Sequence, residues 1–302
     1  MTRKNVSQLA QLKQQIKSVQ TTKKITHAVR LVSMSLYAKL EKQRIPMNTY
    51  MGSVRSLFLR FTRGAHWNDP VFFPHDVLDQ NPLFIIIGTS KGLCGSLNSN
   101  LFRYAKKSMF VESHQKPKLI AIGQKAVKFA KEIKVGELIC FYHELTAHNL
   151  TTITDDLMEK ILHVDQPYSS VTILSNELKS FFMQRPLKTR LTPACLDNYE
   201  GDSHESESEN KQGHFIDDQD IILEQDRDEI AKYLAHLYVR TTIVNTLFQA
   251  LIAEHAARFV AMDGSYTNAD KILERLTIQF NKLRQALITK EVAELSASLP
   301  SK

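Results

Sequence analysis

The sequence predicts an α/β unit set between two long terminal helices that pair as an antiparallel coiled coil. Three observations carry that prediction. No Gly or Pro interrupts Ser7–Ile45, and Asp228–Leu299 holds no Pro and a single glycine, Gly264. Between those runs, short apolar β-branched segments alternate with helix-like ones, the pattern of a small parallel sheet covered by helices.

Residues 1–64 read as an N-terminal coiled-coil helix and its continuation. Apolar residues fall three or four apart at Leu9, Leu12, Ile16 and Val19, and again at Ile25, Val29, Val32, Leu36 and Leu40. Each series is the stripe of a helix packed along one side. The polar stretch Gln20–Lys24 separates them, and Pro46 is expected to close the run because it lacks the N–H that continues a helix.

Residues 65–196 form the expected central α/β (Rossmann-like) domain. Strands are predicted at Leu83–Gly88, Lys118–Gly123, Glu137–Tyr142 and Ser170–Leu174, with helices over 97–113, 124–134 and 150–163. A further extended stretch, Leu178–Leu191, is expected to add an antiparallel edge. Residues 197–227 form an acidic connection. Its core, Asp197–Gln212, has too few apolar side chains to offset its ordering entropy and reads as a flexible surface loop.

Residues 228–302 give the strongest periodicity. Leu234, Leu237, Thr241, Val244, Phe248, Leu251, His255, Arg258 and Met262 alternate three and four apart. A second series, Tyr266, Ala269, Leu273, Leu276, Phe280, Leu283 and Leu287, is offset near Gly264, so the packing face rotates there. Sustained heptads argue for a coiled coil, and some seventy helical residues would span about 100 Å.

Charge is sharply polarised along the chain. Residues 1–66 carry thirteen Lys and Arg against one acid, whereas residues 197–230 carry two against thirteen. A basic segment of that strength suits acidic partners, either nucleic acid or an acidic protein surface. The three cysteines lie far apart with no C-x-x-C pair, which argues against a disulfide framework. No apolar run approaches the ~18–20 residues that cross a bilayer, and no apolar signal core opens the chain. A soluble, intracellular protein is expected.

Several local patterns invite chemistry. Gly88-Thr-Ser90-Lys-Gly92 matches G-x-S-x-G between a strand and a helix, and His143, His148 or His163 could be nominated as its base. That α/β serine hydrolase reading leaves both long helices unexplained. The same loop resembles a phosphate cradle at a helix N-terminus, but it fits neither nucleotide fingerprint. His143 and His148 are spaced five apart, one too many for two ligands on a helix face. No metal site, catalytic residue or cofactor is therefore expected. A basic coiled-coil adaptor binding nucleic acid stays open, although no base-reading motif stands out in the basic segment.

Three separated stretches resemble the gamma subunit of F-type ATP synthase. They are Ile16–Ser35; Ser90–Gly95 followed by Leu97–Phe102; and Glu254–Asp263 followed by Gln279–Glu291. The resemblance implies a central rotor shaft whose paired terminal helices enter a ring of alternating alpha and beta subunits. It further implies that the α/β domain sits against the epsilon subunit and the membrane ring of c subunits, with no catalysis of its own. ATP would be made or hydrolysed on the beta subunits, at the cytoplasmic face of a bacterial inner membrane. No nucleic-acid partner is implied. Carried over by position, the ring-contacting candidates are Lys24, Val29, Arg258, Gln285, Thr289 and Glu291. On a bare coil Arg258 and Gln285 would face solvent.

Overall fold

The computed structural model describes residues 2–62, 82–112, 116–133, 136–162, 168–192 and 226–298. The acidic loop Asp197–Gln212, His163 and Cys195 lie outside the described residues. In chain order the elements are α1 (Thr2–Thr62), β1 (Pro82–Ile87), α2 (Leu97–Glu112), β2 (Lys118–Ile122) and α3 (Gln124–Glu132). There follow β3 (Glu137–Tyr142), α4 (Leu150–Leu162), β4 (Ser170–Ser180), β5 (Met183–Thr192) and α5 (Arg227–Ser298). By internal contact the chain divides into two units. One holds Met1–Leu36, Leu93–Gly95 and Arg258–Lys302; the other holds Tyr37–Gly92 and Ser96–Ala257.

The second unit is built on a five-stranded sheet of order β3-β2-β1-β4-β5. The first four strands run parallel, and β5 closes the sheet antiparallel to β4. Central β1 is apolar and buried at every position, because helices cover both of its faces. Phe84 and Ile86 point into one core with Leu101, Ala105 and Met109 of α2 and with Ala126, Val127, Phe129 and Ala130 of α3. Leu83, Ile85 and Ile87 point into the other, with Ile153, Leu157 and Ile161 of α4. That second core also takes in Leu40 and Phe58 of α1 and α5 side chains from Leu234 to Ala256. Each fully buried Leu, Ile, Val, Phe or Met among them contributes about 1.5–3 kcal/mol on burial.

Two glycines allow the sheet and helix ends to meet. Gly123 sits at φ +90, and a Cβ there would lie 2.3 Å from the carbonyl oxygen of Gly88. Gly88 in turn lies under Ala126, whose Cβ is 3.0 Å from where a Gly88 side chain would begin. The first glycine of the G-x-S-x-G match therefore serves close packing between β1 and α3.

Three expectations need correction. Helix α1 continues through Pro46 to Thr62. Pro46 is exposed, so water can meet the carbonyl that loses its partner, and buried Met51, Val54 and Phe58 hold the helix beyond it. The antiparallel edge expected over Leu178–Leu191 is present as β5, but it starts later: β4 runs on to Ser180 and the chain turns at Phe181-Phe182 before β5 begins at Met183. Strand β3 was read with the other apolar runs as part of a sheet covered by helices, yet it lies at the sheet edge with alternate residues exposed, Ile139 and Phe141 among them.

Candidate functional site

The first unit pairs the start of α1 with the end of α5, and its packing can be followed residue by residue. On α1, Leu9, Leu12, Ile16 and Val19 are the half-buried positions, each flanked by exposed residues. On α5 beyond Gly264, Ala269 and Leu287 are buried, and Leu273, Leu276, Phe280 and Leu283 are half-buried. The second apolar series thus faces inward as predicted, while its neighbours Ile272, Ile278, Ile288 and Val292 are exposed.

A polar clasp fixes the register. Lys23 Nζ meets Asp270 Oδ1 at 2.5 Å, and Arg30 Nη1 meets Asp263 Oδ1 at 2.5 Å. Between them the His27 and Tyr266 rings lie 5.4 Å apart. The Lys23 ammonium and the Arg30 guanidinium sit 5.0 and 4.9 Å from the Tyr266 ring centre, within cation–π range. As the α1 position rises from 23 through 27 to 30, its α5 partner falls in step from 270 through 266 to 263. Such a progression defines an antiparallel pair. The hydrogen bond to Asp270 holds the Lys23 ammonium above its ordinary pKa, against a smaller opposing effect of burial.

Around this clasp the expected stripe on α1 is inverted. Thr26 and Ser33 are buried, whereas Ile25, Val32 and Leu36 are 56%, 59% and 41% exposed. Leu31 and Met34 are exposed as well. Polar groups face inward here because they are satisfied within reach: Thr26 donates to Lys23 O at 2.9 Å and Ser33 to Val29 O at 2.8 Å.

The six candidates from the sequence do not gather at one point. Lys24 is exposed and Val29 half-buried, both beside the clasp. Gln285, Thr289 and Glu291 are exposed, near the end of α5. The Thr289 hydroxyl donates to the Gln285 carbonyl at 3.0 Å, one turn away. Arg258 is only 7% exposed, not solvent-facing as expected for a bare coil. Tyr266 and Asp263, which complete the clasp, were not singled out as functional positions. Their signals were the place of Tyr266 at the head of the second apolar series and of Asp263 at the end of the stretch Glu254–Asp263.

The supposed nucleophile is engaged structurally. Ser90 Oγ accepts the backbone N–H of Leu145 at 2.9 Å, and among the described residues no imidazole hydrogen-bonds to it. His143 and His148 are both exposed. Two of the loop amides are also occupied: Gly88 N–H bonds Ile122 O at 2.9 Å, and Thr89 N–H bonds Asn98 Oδ1 at 3.1 Å. A phosphate cradle would need those donors free.

A family model described as ATP synthase matches residues 8–299. The chain belongs to the ATP synthase gamma-chain family. It is 28% identical over 292 residues to the ATP synthase gamma chain of Clostridium beijerinckii, covering 95% of each chain. It is likewise 28% identical over 305 residues to that of Francisella tularensis subsp. tularensis, covering 96% of this chain and 98% of the relative. Among solved structures, a chain of the Euglena gracilis mitochondrial ATP synthase rotor superposes with a TM-score of 0.63 at 16% identity, over 93% of this chain and 99% of the other. A chain of the Tetrahymena thermophila mitochondrial ATP synthase central stalk and c-ring structure gives 0.55 at 18% identity, over 80% and 98%. This gamma-family chain has, among the described residues, no helix long and apolar enough to cross a membrane.

Proposed function

We propose that the chain is the non-catalytic central rotor shaft of a bacterial F-type ATP synthase, peripheral to the cytoplasmic face of the inner membrane. Its partners are the alpha and beta subunits of the catalytic ring, the epsilon subunit and the ring of c subunits. The single observation that carries this reading is the antiparallel register of α1 and α5 at the Lys23–Asp270, His27–Tyr266 and Arg30–Asp263 positions. Two helices locked to each other resist bending and twisting together, which a shaft needs to carry torque. A shaft couples chemistry to rotation when each angle favours a different state of the surrounding subunits. Nucleotide affinity and rotor angle then bias each other reciprocally.

In this proposal Gln285, Thr289 and Glu291 meet the ring near the end of α5, and Lys24 and Val29 meet it beside the clasp. Arg258, being buried, contributes by holding the geometry of α5 and not by reaching outward. The positive charge of the N-terminal segment, thirteen basic residues against one acid up to residue 66, favours acidic ring surfaces.

Deleting residues 289–302 in the assembled complex tests the assignment. ATP-driven ion pumping is expected to fall several-fold more than ATP hydrolysis, with assembly intact. Unchanged pumping would remove the end of α5 from the coupling surface. Ser90→Ala should leave hydrolysis by the complex unchanged, since that hydroxyl serves Leu145.

A further inference from the structure

Helices α2 and α3 lie side by side over one face of the sheet, joined where Phe102 stacks on Phe129 with ring centres 4.2 Å apart. Their inward sides are apolar and their outward sides basic. On α2, exposed Arg103, Lys106, Lys107 and Phe110 are spaced three or four apart and form one stripe. On α3 the exposed cations are Lys125, Lys128 and Lys131.

Among the described side chains of these two helices the single carboxylate is Glu132, which meets Lys128 at 3.8 Å with both groups well exposed. Such a pair contributes little in water. Among the described residues no carboxylate pairs with the other five cations. Arg103 donates to the amide oxygen of Asn100 at 2.9 Å, Lys106 lies 5.9 Å from the Phe129 ring centre, and Lys131 lies 5.2 Å from that of Phe141. Like charges gathered on one face repel each other until an anionic partner meets them. Apolar rings accompany the charge. Phe110, on the α2 stripe itself, is 84% exposed, the most exposed large apolar side chain described, and Phe141 beside Lys131 is exposed as well.

We infer that the α2–α3 face docks on the anionic headgroup surface of a phospholipid bilayer. The cations meet headgroup phosphates, and the Phe110 ring enters the boundary between headgroups and acyl chains. Five of the six cations are lysines, compact charges on flexible stems that suit mobile phosphates. A face built for the fixed carboxylates of a protein would favour arginine, whose planar fork pairs them through two parallel bonds. The inference extends the rotor reading, which brings the α/β domain to the membrane but gives this chain no lipid contact of its own. The two fail separately: vesicle binding needs no assembled ring, and deleting residues 289–302 leaves this face intact.

Co-sedimentation of the full chain with phosphatidylcholine vesicles, with and without about one-third phosphatidylglycerol, tests this at about 0.15 M salt. Binding is expected to be saturable on the anionic vesicles and about tenfold weaker or more on phosphatidylcholine alone. Lys106→Gln combined with Lys107→Gln should weaken it about tenfold, and Phe110→Ser about fivefold at unchanged charge. All three positions are exposed, so melting temperatures should hold. Residues 1–66 are also basic, so Lys13→Gln combined with Lys17→Gln is the control of equal charge and should change binding less than about twofold. Absence of binding to the anionic vesicles overturns the proposal. An equal loss in the α1 control also overturns it, by reducing the binding to net charge. So does undiminished binding of the lysine variant, which places the contact elsewhere. Undiminished binding of Phe110→Ser overturns it too, leaving a purely ionic face that an acidic protein surface would fit.

Discussion

Arg30 of α1 reaches the Asp263 carboxylate of α5 across the coil while its guanidinium lies against the ring of Tyr266. One side chain thus makes both an ion pair and a cation–π contact. The Arg30 side chain is 23% exposed and that of Asp263 49%, so solvent screens much of the attraction. A double-mutant cycle on Arg30→Ala and Asp263→Ala, read by urea unfolding of the full chain, should give a coupling of about 0.5–1 kcal/mol that shrinks with added salt.

Tyr266 is expected to matter more for its ring than for its hydroxyl. Lys23, His27 and Arg30 all gather against that ring. Tyr266→Phe should change stability by less than about 0.5 kcal/mol, and Tyr266→Ala should cost about 1–3 kcal/mol. Equal effects would show that the hydroxyl carries the contact.

How far these features could be read from the sequence depends on what supplies the inward face. Strands β1, β2 and β4 and the three covering helices of the central domain were legible because runs buried on both sides leave an unmistakable apolar block, and β3 was legible from its apolar run although alternate residues of it are exposed. Leu9, Leu12, Ile16 and Val19 were legible for a similar reason: their spacing marks the half-buried face of α1. Ile25, Val32 and Leu36 have the same spacing but point outward. An apolar stripe states that something covers it, not that the same chain does. Pro46 misled because local propensity yields to the packing of Met51, Val54 and Phe58. The β4–β5 turn at Phe181-Phe182 carries no Gly, Asn or Pro to announce it.

Under the edge strand, Tyr142 donates to the Asp156 carboxylate, which also pairs with Lys160. The Lys160 hydrogen bond first, and Tyr142 second, hold Asp156 below its usual 3.8. Its stabilising contribution is therefore present above about pH 4 and is lost as pH falls through the lower folded-state value. Denaturant midpoints measured from pH 5 to pH 2 should fall less steeply for Asp156→Asn than for the native chain. Parallel curves would show that Asp156 titrates alike in both states.

Burial first, then the bond to Asp156, raises Tyr142 well above the ordinary phenol range. Here the sign reverses: the contribution is complete below about pH 10 and fades as pH climbs beyond it. Tyr142→Phe should flatten the alkaline loss of stability between pH 10 and 11. An unchanged alkaline slope would assign that loss to other groups.

Gly123→Ala forces a side chain into left-handed backbone and against the Gly88 carbonyl. The expected cost is upward of about 3 kcal/mol, from strain combined with displacement of a packed strand end. Gly264→Ala, where a Cβ meets nothing within 4 Å, should instead stabilise α5 by about 0.5–1 kcal/mol. Thermal melting of the two variants separates a glycine needed for shape from one that merely lowers helix propensity.

The outward side chains Ile25, Leu31, Val32 and Leu36 offer a passing surface no donor and no acceptor, and Met34 adds only a weakly accepting sulfur. Resistance to sliding over that stretch comes only from shape and dispersion, where each atom pair contributes ~0.1–0.2 kcal/mol and no bond must break before the next can form. Hydrogen-bonding side chains there would impose a ratchet of sticking points. This stretch of α1 has the chemistry of a low-friction bearing.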